Sequence, residues 1–386
     1  MKLVLNYNTL MNALTYVGGI STSTANIDTN KSVTFKVTEE AISIYGESAT
    51  VGAITDIERG DFTYEPSNEE GQDLFQVKTK EFTSFLNTFT QDRTRPTDVV
   101  FQIDNNRLHL TVHEEPLDGQ PSYLENESKW TFDLTAVKKA TVESMQIDVG
   151  TEIVNSELLQ LYVDAMYPLI SGGSINMSDS KLNFAEEYVY VFTSRVVAMF
   201  KNKLPSCMRG IVLSKAGVEV LKNLSEGFEQ LMVTKNEEAS KLFVSAGNNR
   251  VAIKFNRKMP PYQQTLDSLS PDNYTVIDRK LLKSIIKRLK LTKDTTMLSV
   301  NTSEEVMNVG NSRFAQNIPL IEFGGDILDT FKVGVVTEAL EDAILGSDEI
   351  YPDEVHISPT KQGNAFMIKF SDDSQNWLSI FRVTAR

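Results

Sequence analysis

The sequence predicts an α+β fold built from three similar modules in one chain of 386 residues. A strand–helix–strands unit recurring three times is the main reason, because self-similarity constrains a fold more than any local signal. Its copies are Gly210–Leu213, Lys215–Leu224, Gln230–Lys235 and Lys241–Phe255; then Phe75–Lys78, Glu81–Phe89, Asp98–Ile103 and Leu108–Val112; then Phe331–Val333, Val335–Leu345, Glu354–Ser358 and Ala365–Phe370. Turn residues join the last strands of each copy: Gly247-Asn248-Asn249, Asp104-Asn105-Asn106 and Gly363. Each third also opens with a helix followed by alternating segments. Helix pairs on antiparallel sheet are the architecture expected from that order.

The opening helix is Tyr7–Val17, with Leu10, Leu14 and Val17 on one face and Gly18-Gly19 as its stop. A hairpin of Val33–Val37 and Ala41–Tyr45 turns at Glu39-Glu40. Asn155 or Ser156 caps the helix opening the second third, whose Leu158, Leu159, Tyr162 and Met166 share a face; Pro168 and Gly172-Gly173 end it. Lys181–Phe192 supplies strands. In the central unit Ser214 caps the helix that follows. The last third opens with Asp278 capping Arg279–Leu291, then strands Met297–Val300 and Val306–Val309. Linkers are expected at Glu114–Lys129, or just after it, and at Asp267–Asn273. The domain division is therefore 1–145, 146–270 and 271–386. If both helices of every module lie on one side, three modules curve, and two chains close a ring with helices inside. A twofold homodimer is the economical closure.

A formal net charge of -14 sets the bulk surface against nucleic acid and anionic membrane. Any polyanion contact needs basic residues gathered locally. The one cysteine, Cys207, excludes an intrachain disulfide framework and fits a reducing compartment. Met1–Asn6 turns polar too soon for a signal peptide, and no apolar run approaches spanning length, so a cytoplasmic location is expected.

The sharpest electrostatic signal is Arg279–Leu291. Leu281, Leu282, Ile285, Ile286 and Leu289 fall on one arc; Lys280, Lys283, Lys287 and Lys290 fall on the opposite one, with Arg279 beside them and Arg288 at an edge. A solvated lysine face on a surface helix is the plain reading, and a phosphate-facing stripe the functional one. Segregated positive charge in so acidic a chain favours the second. Lys215 and Lys222, seven apart on the central helix, add to the same surface, whereas Lys78, Lys80, Arg93 and Arg95 sit only at the ends of the helix in the first third.

Catalytic machinery is thin. His109 and His113 lie four apart in an alternating segment, which is not the one-face spacing of a helical metal pair. Cys207 has no histidine near it in sequence, no glycine-rich phosphate loop occurs, and the acidic pairs Glu39-Glu40, Glu186-Glu187 and Asp372-Asp373 sit in turns. No enzyme activity, metal or cofactor is expected. Trp377–Arg386 crowds apolar residues into the last ten positions, either as a final strand packing its own sheet or as the lining of a groove for partner peptides.

Three stretches carry a resemblance. Gly210–Leu224, Lys258-Met259-Pro260-Pro261-Tyr262-Gln263-Gln264-Thr265-Leu266 and Thr275–Leu289 follow one another as in the bacterial replicative sliding clamp, the beta subunit of DNA polymerase III. The opening Leu10–Ile20, with its Val-Gly-Gly step, is similar to that family's first helix. This resemblance implies a head-to-tail homodimeric ring around duplex DNA, lined by twelve helices and facing the duplex with Arg279, Lys280, Lys283, Lys287, Lys290, Lys215 and Lys222. It implies a pocket between the second and third modules for short motifs of the replicative polymerase and clamp loader. By position the pocket wall is Thr193, Arg195 and Val196, with Pro260, Gln264 and Thr265, and with Ile380, Phe381 and Val383. The chain departs from the family at each part: a Gly-His pair is missing after Thr193, Gln264-Thr265 replaces Arg-Val, and the Met-Pro-Met-Arg ending is absent. A different partner motif follows, as for a viral clamp serving its own polymerase. The ring interface falls on Leu108 and Leu110 against Leu289 and Leu291.

The expected function is that of a sequence-independent DNA clamp that tethers a polymerase and catalyses nothing. A clamp-shaped protein scaffold, for instance on transcription machinery, and a carboxylate-dependent hydrolase are the alternatives.

Overall fold

Period-two alternation dominates the chain, so most of it pairs into antiparallel ladders with one face against helices. The computed structural model describes residues 1–22, 31–66, 73–89, 94–122, 126–171, 181–192, 196–263, 267, 272–292, 294–325, 332–337, 340–341, 353–359, 365–372 and 375–382. The first stretch holds β1 (Lys2–Asn6), α1 (Tyr7–Thr22), β2 (Ser32–Val37), β3 (Ala41–Glu47), β4 (Val51–Glu58), β5 (Phe62–Glu65), β6 (Leu74–Lys78), α2 (Thr79–Leu86), β7 (Thr94–Asp104), β8 (Arg107–Pro116) and β9 (Asn126–Asp133). Next come α3 (Lys139–Ser144), β10 (Glu152–Asn155), α4 (Ser156–Ser171), β11 (Leu182–Phe184), β12 (Tyr188–Phe192), β13 (Val196–Lys201), β14 (Ile211–Leu213), α5 (Lys215–Gly227), β15 (Gln230–Asn236), β16 (Lys241–Ala246) and β17 (Asn249–Asn256). The remainder holds β18 (Tyr274–Asp278), α6 (Arg279–Leu289), β19 (Thr295–Asn301), β20 (Val306–Gly310), β21 (Ala315–Gly324), β22 (Lys332–Val336), β23 (Glu354–Pro359), β24 (Ala365–Asp372) and β25 (Gln375–Arg382).

These elements form two compact units. One comprises Met1–Ile153 with Gln230–Lys254. It contains the sheet β5-β1-β7-β8-β9 and the ladder β6-β2-β3-β4-β17-β16-β15, antiparallel throughout. Both helices press one face of this sheet system into a single core. Leu10, Leu14 and Val17 of α1 and Phe82 and Leu86 of α2 are buried there with Phe35, Phe75 and Phe101. Phe35 stacks on Phe75 at 5.0 Å, and Phe82 meets Phe132 edge-on at 5.3 Å. Gly46 of β3 lets α1 come close: a Cβ there would stand 2.6 Å from Val17 Cγ1 and 2.9 Å from its carbonyl oxygen.

The other unit comprises Val154–Glu229 with Phe255–Arg386. Its ladder runs β14-β11-β12-β13-β25-β24-β23-β18-β21, and β21 continues into β20-β19-β22. Helices α4 and α5 pack on each other, burying Tyr162, Val163 and Met166 against Val218, Leu221 and Leu224. Helix α6 buries Leu282, Ile285, Ile286 and Leu289.

Capping chemistry sets the helix starts. Asn155 Oδ1 accepts from Leu158 N–H at 2.9 Å, Ser214 Oγ from Gly217 at 3.5 Å and Asp278 Oδ1 from Leu281 at 2.6 Å. Asn155, not Ser156, is therefore the cap of α4.

Several boundaries differ from expectation. Helix α1 continues through Gly18-Gly19 to Thr22, and α4 through Pro168 to Ser171. A glycine costs a helix only about 1 kcal/mol and an interior proline about 3 kcal/mol. Burial of Leu169 and Ile170 next to Pro168 opposes that cost. Glu114–Lys129 is no linker: it spans the end of β8 and the start of β9, which pair from Arg107↔Asp133 to Glu114↔Asn126. As an edge strand, β9 buries only Phe132, which hides its alternation. Of the second expected linker, 268–271 lies outside the described residues, as do Gly172-Gly173 and most of Val335–Leu345. Helix α6 ends at Leu289 and tightens into a 3₁₀ turn over Lys290–Thr292.

Candidate nucleic-acid and partner-peptide surfaces

The apolar arc of α6 faces the core, so its polar arc faces out. Lys280, Lys287, Arg288 and Lys290 are exposed and Lys283 is half-buried. Arg279 departs from the expected stripe. It is fully buried, because as first residue of α6 it follows Asp278 directly and points with the core-facing arc. It therefore cannot meet a phosphate on that surface.

Carboxylates of the same unit already engage much of the remaining charge. Lys280 Nζ lies 2.8 Å from Asp353, and Lys290 Nζ 2.6 Å from the nearly buried Glu341. On α5, Lys215 faces Glu219 at 3.9 Å, and Lys222 bridges Asp164 of α4 and Glu226 at 2.7 Å. Desolvation pulls the Lys222 pKa down, but hydrogen bonds and charge from Asp164 and Glu226 outweigh it and hold it above the usual lysine range. Tyr167 donates to Glu219 at 2.7 Å; burial first, then that carboxylate, raise its phenol to about 12. Among the described residues Lys287 makes no ion pair. Helix α1 carries no basic residue and α2 only Lys80, so positive charge is uneven along the helices.

A second surface forms where β12 and β13 meet the segment after β17. Tyr190 and Met199 are buried with Ala185 and Val197, and Tyr188, Phe192, Met259 and Tyr262 pack on them half-buried. Tyr190 donates its hydroxyl to the Pro260 carbonyl at 2.6 Å, and the Tyr190 and Tyr262 rings lie 5.0 Å apart. Burial raises the Tyr190 phenol, with a smaller push from Tyr262. Strand β25 pairs with β13, bringing Val196 opposite Phe381 and Val197 opposite Ile380. Val196 and Phe381, and Val197 and Ile380, are thus cross-strand partners inside the ladder, while Pro260 lies against Tyr190. Thr193, Arg195, Gln264, Thr265 and Val383 lie outside the described residues. Tyr262 belongs to the Pro-x-Tyr segment that the resemblance marks, whereas Tyr188, Tyr190 and Phe192 are absent from the sequence-based site, although they alternate onto one face and signal it.

The expected interface residues are mostly misplaced. Leu108, Leu110 and Leu289 are fully buried in the cores of their own units, since they occupy the inward positions of β8 and α6. Leu291 is 85% exposed. Exposed large apolar groups on strands include Trp130 on β9, Ile153 on β10, and Ile321 and Phe323 on β21. Elsewhere His113 Nδ1 sits 3.5 Å from Glu127, and among the described residues no cluster of three or more metal-ligating side chains occurs.

No family model matches the sequence, and no curated protein matches it. Solved structures do match over the whole chain. The DNA polymerase III subunit beta from Pseudomonas aeruginosa superposes with TM-score 0.73 at 12% identity, covering 100% of both chains. The DNA polymerase sliding clamp from Bacillus subtilis gives 0.73 at 12%, covering 100% of this chain and 99% of that one. The beta subunit from the DNA polymerase of Streptococcus pyogenes gives 0.72 at 9%, with 100% of both covered. Full coverage at such identities carries the architecture: the chain has the fold of these structures.

Proposed function

We propose that this chain is a DNA sliding clamp. Two copies close around a duplex and tether a replicative polymerase, and the chain itself performs no chemistry. The observation carrying the proposal is the end-to-end likeness to clamp structures, with 100% of this chain and 100% of the Pseudomonas aeruginosa chain aligned. Three modules cut near 145 and 270 fit that reading.

Closure follows from the repeat. In one unit β4, the fourth strand of a module's first half, pairs with β17, the last strand of a second half. In the other unit β13 pairs with β25 in the corresponding way. The third pairing of that kind needs β21 and β9. Among the described residues β9 pairs only with β8, and β21 over Ala315–Pro319 only with β20. A second copy supplies the missing partner for each, which gives a closed twofold ring. Trp130, Leu291, Ile321 and Phe323 are the apolar groups it would cover.

A ring that encloses its substrate needs weak, exchangeable contacts. Lysines on flexible stems give sequence-blind phosphate contacts, and the carboxylates already paired with Lys215, Lys222, Lys280 and Lys290 keep those contacts weak. A tethered polymerase then meets the primer end at high effective concentration. The surface where Tyr262 packs on β12 and β13, next to β25, is the partner-motif site. Retention on nicked circular DNA that is lost on linearisation tests the clamp reading. Equal retention on both forms, or a monomer in solution at micromolar concentration, would refute it. Removing Phe381–Arg386 is expected to abolish polymerase binding while leaving the dimer intact.

A further inference from the structure

The face of the β6-β2-β3 ladder that points away from α1 and α2 is not bare. A cavity of about 920 Å³ opens on it, wholly within the first unit. Two cross-strand rows make its floor. Tyr45, Thr34 and Gln76 stand side by side in register, and beside them lies the row containing Ser32 and Lys78. Thr135 and Lys138, from the stretch after β9, wall it on one side, and Ser48 and Ala49 on another.

The chemistry of this lining is one-sided. Among the described residues that line it, Lys31, Lys78 and Lys138 meet one carboxylate, Glu47, whose Oε2 already accepts the Tyr45 hydroxyl at 2.9 Å. The other polar groups include hydroxyls and the Gln76 amide, so the floor can donate as well as the lysines. Lys78 precedes α2 directly and that helix has no side-chain cap, so its positive end adds to the lysine field. Lys78 also reaches Glu81 at 3.3 Å, an exposed pair that an incoming anion can displace at little cost. In a chain of net charge -14, a concave site with three lysines is a local inversion of sign. Its volume is in the range of small-molecule sites, about 300–1,000 Å³. Lys31 and Lys78 adjoin, since Thr79 N–H donates to the Lys31 carbonyl at 2.9 Å, and Lys138 comes from a separate segment, so two cationic positions suit linked anionic groups better than one.

We propose that this cavity binds a di- or triphosphate group, on the face opposite the helices and separate from any duplex the helices would meet. The shared chemistry is the phosphate chain, whether carried by inorganic polyphosphate or by a nucleotide.

Isothermal titration of the full chain with inorganic tripolyphosphate, and separately with ATP, at about 50 mM salt tests it. Saturable one-site binding is expected, weakened at least tenfold in Lys78→Gln/Lys138→Gln and unchanged in Lys283→Gln/Lys287→Gln. Equal affinity for both probes assigns the site to the phosphate chain alone, and tighter ATP binding adds nucleoside contacts. No saturable heat with either probe overturns the proposal, as does unchanged binding in the first double variant or loss in the second. Both pairs sit at or near the surface, and unchanged thermal unfolding of each variant separates lost binding from lost fold.

Discussion

Asp353→Asn is expected to strengthen DNA binding, although it removes no contact with DNA. Lys280 is 61% and Asp353 67% exposed, and their pair spans 2.8 Å. Such a pair is worth between about 0 and 1 kcal/mol. Deleting the carboxylate releases Lys280 from that pair and removes a like-charged neighbour of the duplex, so affinity rises by up to about fivefold, the factor equivalent to 1 kcal/mol. The slope of log affinity against log salt should steepen by about 0.9, one more phosphate contact. Lys287→Gln, which breaks no ion pair within the unit, should make the slope shallower by a similar amount. Fluorescence anisotropy of a short labelled duplex between about 50 and 200 mM salt, the range where such slopes are read, resolves both changes. A variant Asp353→Asn that binds DNA no more tightly than the parent, with the same slope, would show that α6 does not face phosphate.

Trp130→Ala is expected to weaken the dimer by about 2 kcal/mol or more, roughly thirtyfold, if that ring anchors the interface; sedimentation across a dilution series measures it, and an unchanged dissociation constant removes Trp130 from the contact. Gly46→Ala should destabilise the first unit by about 1–3 kcal/mol through the clash with Val17, read as a lowered urea midpoint. Burial and the Glu219 carboxylate push the folded-state Tyr167 pKa up to about 12, against about 10 for an exposed phenol. Its contribution to stability is thus complete below pH about 10 and disappears as pH climbs towards 12. Tyr167→Phe should flatten that alkaline decline, which chemical unfolding at stepped pH would reveal.

Much of the architecture was legible because turns and caps are local. Asp278, Ser214 and the Asn105-Asn106 turn, both residues at positive φ, announce themselves in a few residues each. The lysine arc of α6 was legible for the same reason, through helical period. What was not legible depends on partners distant in sequence. Arg279 reads as one more exposed cation until the core around it is built. The carboxylates that hold Lys222 and Lys280 come from Asp164 and Asp353, 58 positions away in the first case. Leu108 and Leu110 carry an apolar alternation that reports only that one side of β8 is covered, not whether by the same chain or another. Trp130 was overlooked because Lys129, Thr131 and Asp133 around it read as loop.

Strand β21 carries a proline at a telling place. Leu320 N–H donates to the Glu305 carbonyl, so in the alternating antiparallel pattern Pro319 turns its ring nitrogen toward the open side. That side consequently lacks one donor, and a foreign strand cannot zip along it without interruption. In the other unit, Lys129 plants a charge on β9, which among the described residues pairs only with β8. In the proposed dimer, this shields a lone subunit from fibre-like stacking, while a second copy whose ladder tolerates the gap can still dock.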